Sequence, residues 1–258
     1  MGSGGRADTT NLPRHGVTLY QFRQRLLTAA LAKIVIPAAE RIIGEVSATG
    51  HCAYLPTAQF EWSKKVEQYT PAICAELKSL LTEITDIPSF QDVSEAQREL
   101  TNDDRWKAYV FFVFGTAIAK NCRQCPDTVI AMNAIPGLQN AMFSILSPGK
   151  KIPEHRGPYK GLLRYHLALV VPDSSDQCAI WVNDERRTWT KGKSLILDDS
   201  YPHRADNNTN QLRVVLFADF ERPLPWPWSW MNRAVIALLR KTDLAQQPLA
   251  QLNSSSTE

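Results

Sequence analysis

The sequence predicts a mixed fold, mainly β with α, in which N-terminal helices buttress a double-stranded β-helix, a jelly-roll barrel of two facing sheets. Three observations carry this. The hydrophobic period is mainly helical from Val17 to Pro136 and becomes two from about Ala141 to Phe220. The strand-like runs are short and separated by turn residues, as in an antiparallel sandwich or barrel. The composition, 44% hydrophobic and 21% charged over 258 residues, is that of a globular chain and excludes a disordered or collagen-like one. Four segments follow. Residues 1–16 form a flexible start whose Met-Gly-Ser-Gly-Gly opening has the look of an appended leader, which leaves a removed targeting segment out of view. Residues 17–136 are a helical layer packing on the barrel, and 137–223 are the barrel itself. Residues 224–258 hold a Pro/Trp segment, a helix and a polar tail.

Each element has its local reason. Leu26 to Ile36 is the longest apolar run, eleven residues with Lys33 inside it. A membrane-spanning helix needs about twenty, so no segment is expected to cross a bilayer. Thr70-Pro71 is a helix start, with Thr as N-cap and Pro at the first helical position. Ile73, Leu77, Leu80, Leu81 and Ile84 follow at helical spacing, and Pro88 lies just beyond as a stop. Leu163 to Val171 alternates cleanly and ends at Pro172. Ala179–Val182, Ser194–Leu197 and Arg213–Phe220 are further β-rich runs. The turn signals between them are Pro172-Asp-Ser-Ser175, Asn183-Asp184, Lys191-Gly192 and Asp206-Asn-Asn208. Pro223, Pro225 and Pro227 then interleave with Trp226, Trp228 and Trp230 before a short helix over Met231–Lys241 and a tail from Asn253 to Glu258. That Trp-rich segment and its helix have two readings, a cap on the barrel core or a peripheral contact with a membrane or partner. Tyr20 to Ile43 shares the ambiguity.

Charge and cysteine usage narrow the class. A net charge of +3 with no run of five like charges, and no recognisable module, speaks against a nucleic-acid partner. The slight positive balance suits an anionic substrate only weakly. Five scattered cysteines, an odd number, point to a reducing compartment, the cytoplasm, and not to a disulfide scaffold. Cys122-Arg-Gln-Cys125 lacks a second pair at ribbon-like spacing, so simple thiols are expected there and not a zinc site.

The chemistry concentrates in the strand-rich half. Three of the five histidines fall there: His155 in Pro-Glu-His-Arg-Gly157, His166 within the alternating strand, and His203 after Asp198-Asp199-Ser-Tyr-Pro. His15 and His51 read as turn or solvent-facing residues. Two histidines at distant strand ends can meet at a barrel mouth, where neutral imidazoles suit iron, zinc, copper or nickel alike. The bland reading is that each bonds only its own turn. With a period of two, Arg164 and His166 share one face of their strand, while Leu163, Tyr165, Leu167 and Leu169 share the other. Arg213 opens another strand, with Val215, Phe217 and Asp219 on its face. If Arg164 and Arg213 point inward, the barrel is prepared for an anionic ligand; otherwise each snorkels out or pairs with Asp or Glu.

The ordered set Ala141-Met-Phe-Ser144, Ser147-Pro-Gly149, Pro153-Glu-His155-Arg-Gly157, Leu163-Arg-Tyr-His166-Leu, Trp189, Gly192-Lys, Asp198-Asp-Ser, His203, Arg213-Val-Val-Leu, Asp219 and Arg222-Pro223 resembles the aspartyl/asparaginyl β-hydroxylase family. The resemblance covers Ala141 to Pro223 and is loose upstream. It implies a cupin-like barrel and an iron(II)- and 2-oxoglutarate-dependent dioxygenase that consumes O2. It implies that His155 and His203 bind iron and that Arg213 clamps the distal carboxylate of 2-oxoglutarate. Ser144, Arg164 and His166 match the other co-substrate contacts, and Asp199 matches an acid behind the metal. Many such oxygenases carry an acid two residues after the first histidine, where this chain has Gly157. The aspartyl branch of the family resembles it in having glycine there, and the related lipid A acyl-chain hydroxylases have aspartate. The first expectation is therefore β-hydroxylation of an aspartyl or asparaginyl group in a peptide, carrier-bound or free small-molecule substrate, with weakened iron retention. The alternative is hydroxylation of a lipid acyl chain or another amino acid, a reading that Arg222-Pro223-Leu224 and Asn232-Arg233 support by resemblance to the lipid A hydroxylases. A binding barrel without chemistry ranks third. Arg156, Lys160 and Trp106 are named as substrate-facing.

Overall fold

The computed structural model describes residues 19–50, 52–84, 87–94 and 100–254. The Met-Gly-Ser-Gly-Gly start, His15, His51 and the last four residues of the tail lie outside these. The helical half contributes α1 (Leu19–Val46), α2 (Trp62–Gln68), α3 (Thr70–Glu83) and the single turn α4 (Phe90–Val93), with the short strand β1 (Tyr54–Leu55) after α1. Then come β2 (Trp106–Val113), β3 (Thr116–Ala117), α5 (Ala119–Gln124) and α6 (Pro126–Asn133). The strand-rich half is β4 (Leu138–Leu146), β5 (Lys151–His155), β6 (Leu162–Val170), β7 (Cys178–Val182), β8 (Glu185–Thr188), β9 (Ser194–Leu197), β10 (His203–Asn207) and β11 (Arg213–Glu221). Two helices, α7 (Trp228–Leu239) and α8 (Asp243–Ser254), follow.

Strand order establishes the barrel. One sheet runs β1-β9-β6-β11-β4-β2-β3 and the other β5-β10-β7-β8, with antiparallel neighbours. The eight consecutive strands β4 to β11 therefore share themselves between two facing sheets, the double-stranded β-helix arrangement. The alternation of β6 sorts its side chains as expected. Leu163, Tyr165, Leu167 and Leu169 pack with Ile73, Leu77 and Leu80 of α3 on the outside of the larger sheet. Ala168, Val215, Ile180, Val182 and Trp189 close the space between the sheets. Each fully buried aliphatic side chain contributes about 1.5–3 kcal/mol, so the helical layer is part of the stabilising core.

Several local expectations change. Thr70 does not cap its helix: its hydroxyl donates back to the Glu67 carbonyl at 2.6 Å, because α2 runs almost directly into α3. The helical span 17–136 contains β2, which pairs with β4. Six of its eight residues are buried, on both faces, so no alternation marks it. β5, β8 and β10 belong to the smaller sheet, whose polar, partly exposed strands carry little hydrophobic signal. Asp206 and Asn207, read as a turn, end β10. Asn207 is fully buried, and its amide donates to the carbonyls of Leu146, Ser147 and Gln211 at 3.1, 3.1 and 2.8 Å. A turn-forming side chain is used there as an internal cross-link. The C-terminal segment forms two helices where one was expected, and Val235, Ile236 and Leu239 of α7 pack inward while Trp226 and Trp230 stay exposed.

One ion pair ties the end of the barrel together. Arg222 and Asp198 are both buried and in direct contact. Arg222 also donates to the Lys160 carbonyl at 2.7 Å and to the Ser47 and Thr49 hydroxyls at 3.3 and 3.1 Å. Removing one partner of a satisfied buried pair leaves an uncompensated charge and costs about 3–5 kcal/mol. Arg222→Met should thus lower Tm by roughly 6–20 °C, as read by differential scanning calorimetry. A shift under about 2 °C would show that the pair does not hold this junction.

Candidate active site

Antiparallel pairing of β5 with β10 places His155 opposite His203. Their ring centroids are 4.1 Å apart. Each ring also bonds its own turn: His155 Nδ1 lies 2.9 Å from the Pro153 carbonyl and His203 Nδ1 3.0 Å from the Tyr201 carbonyl. The rings thus meet across the strand pair while each also bonds its own turn. A carbonyl can only accept, so each Nδ1 carries the proton and each Nε2 keeps its lone pair. Arg164 Nη1, 3.3 Å from His203 Nε2, is a donor consistent with that tautomer. Burial pushes the His203 pKa down to about 3, with Arg164 and His155 adding to the effect. Burial lowers His155 as well. Neutral imidazoles with unprotonated Nε2 atoms are the metal-binding form. Among the described residues, no group of three or more His, Cys, Asp or Glu side chains converges, so a metal here would have this histidine pair as its protein ligands.

Deeper in the same cleft is a seat for an anion. Arg213 is buried, and among the described residues it has no carboxylate partner. Its Nη1 donates to the Ser144 carbonyl at 3.2 Å, its guanidinium lies over Trp189 at 4.8 Å, and its Nε finds no acceptor. Burial draws its pKa down to about 10. His166 takes the opposite tautomer to the histidine pair. Trp189 Nε1 donates to its Nδ1 at 3.4 Å, which leaves a buried Nε2–H without a partner. Its pKa is held well below the ordinary value by burial and by Arg213. Ser144 Oγ accepts from Trp106 Nε1 at 3.1 Å and so retains its own proton to donate. Arg213 Nε–H, His166 Nε2–H and the Ser144 hydroxyl are thus donors available to an oxygen-rich anion, since buried donors left unpaired are costly.

Arg164 behaves differently from Arg213. It bridges Asp199 at 2.7 Å and Asp219 at 2.9 Å and lies over Phe217. Burial opposes its charge, but the two carboxylates outweigh that and raise its pKa. The guanidinium expected to meet a co-substrate is already neutralised, so its visible work is to position Asp199 and His203. Burial drives Asp199 up to about 7, with Arg164 pulling the other way.

Gly157 has a steric reason. A Cβ there would lie 2.0 Å from Asp199 Oδ2 and 2.4 Å from its Cγ, and the Gly157 amide donates to the Asp199 carbonyl at 2.8 Å. The space that an acid at position 157 would need is filled by the Asp199 carboxylate. An acid introduced at 157 would therefore have to displace Asp199 before it could reach a metal. Gly157→Asp and Gly157→Ala should both displace Asp199 from Arg164, cut turnover at least about tenfold, and leave iron affinity no tighter in an anaerobic titration. Tighter iron with full turnover in Gly157→Asp would sink this account.

The remaining expectations divide. Trp106 lines the cleft as a buried wall, and Arg156 lines it as an exposed residue. Lys160 does not line it; its ammonium lies 5.8 Å from the Tyr201 ring centroid. Phe217 and Asp219 were missed as site residues, although their two-residue spacing from Arg213 and Val215 on one strand face was the available signal. Cys122 donates weakly to the Phe111 carbonyl at 3.5 Å, and Cys125 is buried in the main core.

Comparison with known proteins follows the same residues. A family model described as aspartyl/asparaginyl beta-hydroxylase matches residues 67–223. The ornithine lipid ester-linked acyl 2-hydroxylase of Rhizobium tropici is 41% identical over 215 residues, covering 81% of this chain and 76% of that protein. Mouse aspartate beta-hydroxylase domain-containing protein 2 is 33% identical over 132 residues, 48% of this chain and 38% of that protein. Human aspartyl/asparaginyl beta-hydroxylase is 30% identical over 123 residues, 46% of this chain and 16% of that protein. Among solved structures, a Cupin_2 domain of an XRE family transcriptional regulator from Enterobacter cloacae aligns with 11% identity and a TM-score of 0.33, over 46% of this chain and 99% of that one.

Proposed function

The chain belongs to the aspartyl/asparaginyl beta-hydroxylase family, and from that premise we propose that it is an iron(II)- and 2-oxoglutarate-dependent hydroxylase acting on the acyl chain of a membrane lipid. The observation that carries the chemistry is the juxtaposition just described: two Nε2 lone pairs at 155 and 203 beside unsatisfied donors at 166 and 213 and the Ser144 hydroxyl. The pair would hold iron, and Arg213, Ser144 and His166 would hold the far carboxylate of the keto acid. Iron and 2-oxoglutarate, when bound, supply the oxygen-activating chemistry that hydroxylates an unactivated C–H. The chain's own contribution is orientation. Trp189 and Trp106 fix the His166 and Ser144 donors, Arg164 buttresses His203, and the buried walls exclude water.

The similarity to an acyl 2-hydroxylase spans most of both chains, and this favours the lipid reading over the aspartyl one. Gly157 no longer separates the two, because Asp199 accounts for the glycine. Hydroxylation of an aspartyl or asparaginyl group remains the second reading, on the strength of the 30% identity to the human enzyme. Anaerobic native mass spectrometry with iron and 2-oxoglutarate, followed by lipid and peptide substrates in air, separates them: a +16 product on the acyl lipid is expected, and one on the peptide alone overturns the reading.

A lipid substrate calls for a membrane contact, and α1 with α7 offers one. Trp226 and Trp230 are 84% and 72% exposed, and Leu31 and Ile34 of α1 are 50% and 73% exposed. Leu31, Val35, Trp230, Leu238 and Lys241 line one open apolar trough. Indoles beside exposed cations suit the headgroup boundary of a bilayer. No helix among the described residues is long and apolar enough to cross a membrane. The contact we propose is peripheral, and five free thiols suit a reducing compartment. The double substitution Trp226→Ser/Trp230→Ser should weaken flotation with anionic liposomes at least about tenfold. Undiminished flotation would remove this surface from the proposal.

A further inference from the structure

We propose that the apolar cleft at the barrel mouth, between β2, β4 and β11 on one side and α4 and α8 on the other, is the seat of the substrate's acyl chain. This rests on the lipid reading above and adds where the chain lies. Two clefts open side by side. The first holds the histidine pair and Arg213. The second is walled by Val93, Phe112, Val113, Met142 and Leu244, and the two share Phe90, Pro158, Arg164 and Phe217.

Strand register orders the layers. On β11, Arg213, Phe217 and Asp219 follow one another outward, and β6 pairs His166 with Phe217 and Arg164 with Asp219. The anion seat is thus innermost, and Arg164 reaches His203 at the level of Asp219. The apolar cleft lies beyond them. A chain in it would bring a carbon near its polar end to the histidine pair, with the remaining methylenes along Phe217, Met142 and Phe112.

The charged groups of this cleft are already committed. Arg164 and Asp219 bond each other at 2.9 Å, and Asn140 donates to Asp219 at 3.1 Å while accepting from the Phe114 amide at 2.9 Å. Among the described residues, the one cation lining it, Arg164, is already paired with Asp199 and Asp219. A hydrocarbon chain needs no ionic partner here, whereas an aspartyl side chain reaching into this cleft would find its guanidinium taken.

The test uses the full chain and saturated fatty acids from eight to sixteen carbons, below their micelle concentrations, displacing a fluorescent fatty acid. In the wild type, affinity is expected to rise up to about fourfold per added methylene. Ser94→Trp and Leu244→Trp, which fill the cleft from α4 and α8, should each lose at least tenfold for the long chains while 2-oxoglutarate binding is unchanged. Turnover of an ester lipid against its free acid tells which source of the chain the site accepts, and product from either, together with the chain-length dependence and its loss in the variants, upholds the cleft. Acyl hydroxylation by the wild type with affinity independent of chain length, or unmoved in both folded variants, overturns the cleft while the lipid reading stands. No fatty-acid binding together with turnover of an aspartyl peptide alone overturns both.

Discussion

Replacing His203 with alanine is expected to abolish lipid hydroxylation and to cut iron affinity by more than about 100-fold. Loss of a residue that merely orients a metal ligand already costs 10–100-fold, and His203 would be one of two protein ligands with no third side chain to compensate. His155→Ala should match it, because the register pairs the rings and each offers one Nε2. Anaerobic titration with iron(II), followed by coupled succinate and product analysis, reads both effects. Folding serves as the control, since removing a ring from a solvent-connected cleft leaves the cores of the larger sheet intact. Near-native iron binding in either variant would dismantle the metal assignment and with it the proposed chemistry.

Arg213 gives the second large effect, with opposite signs in function and stability. Arg213→Lys should raise the KM for 2-oxoglutarate about 100-fold or more. An ammonium cannot present two parallel N–H donors to a carboxylate, and truncating a buried charge-paired contact costs about 2–5 kcal/mol. Arg213→Met should abolish keto-acid binding yet raise the Tm of the cofactor-free protein. The guanidinium is buried without a counter-ion, its Nε has no acceptor, and burial has already drawn its pKa down to about 10. An unpaired buried charge destabilises the fold that holds it, and an apolar side chain of similar length removes that penalty. Thermal melts with and without 2-oxoglutarate separate the terms: the wild type gains stability from the ligand and Arg213→Met does not. If the methionine variant is less stable than the wild type and still binds the keto acid, Arg213 is structural only.

The two arginines show how far a strand pattern reaches. Alternation set the strand faces of Arg164 and Arg213 but left open whether those faces point inward; both side chains line the cleft. It could not say which was free, because the answer lies in Asp199 and Asp219, which come from a loop after β9 and from a neighbouring strand. The histidine pair has the same character. Spacing allowed either local turn bonding or a shared site, and the two proved compatible because each ring has two nitrogens with different partners. The strand β2 was hidden for a different reason. Burial on both faces erases the two-residue period, so a run such as Trp106 to Val113 reads as helix or strand equally well.

By itself, the order of residues determined the period change near position 140 and the faces of β6 and β11, local properties set by what alternates with what along one strand. The candidate positions 144, 155, 166, 203 and 213 came from its resemblance to a known family. Only the assembled sheets decided that Gly157 makes room for Asp199, that Arg213 alone of the two inward guanidiniums lacks a carboxylate, and that an apolar cleft adjoins the histidine pair. Each of those depends on distances between residues 35 to 158 positions apart in the chain. Such distances follow from strand register and helix docking, and hydrophobic periodicity carries no information about which distant strand becomes the neighbour.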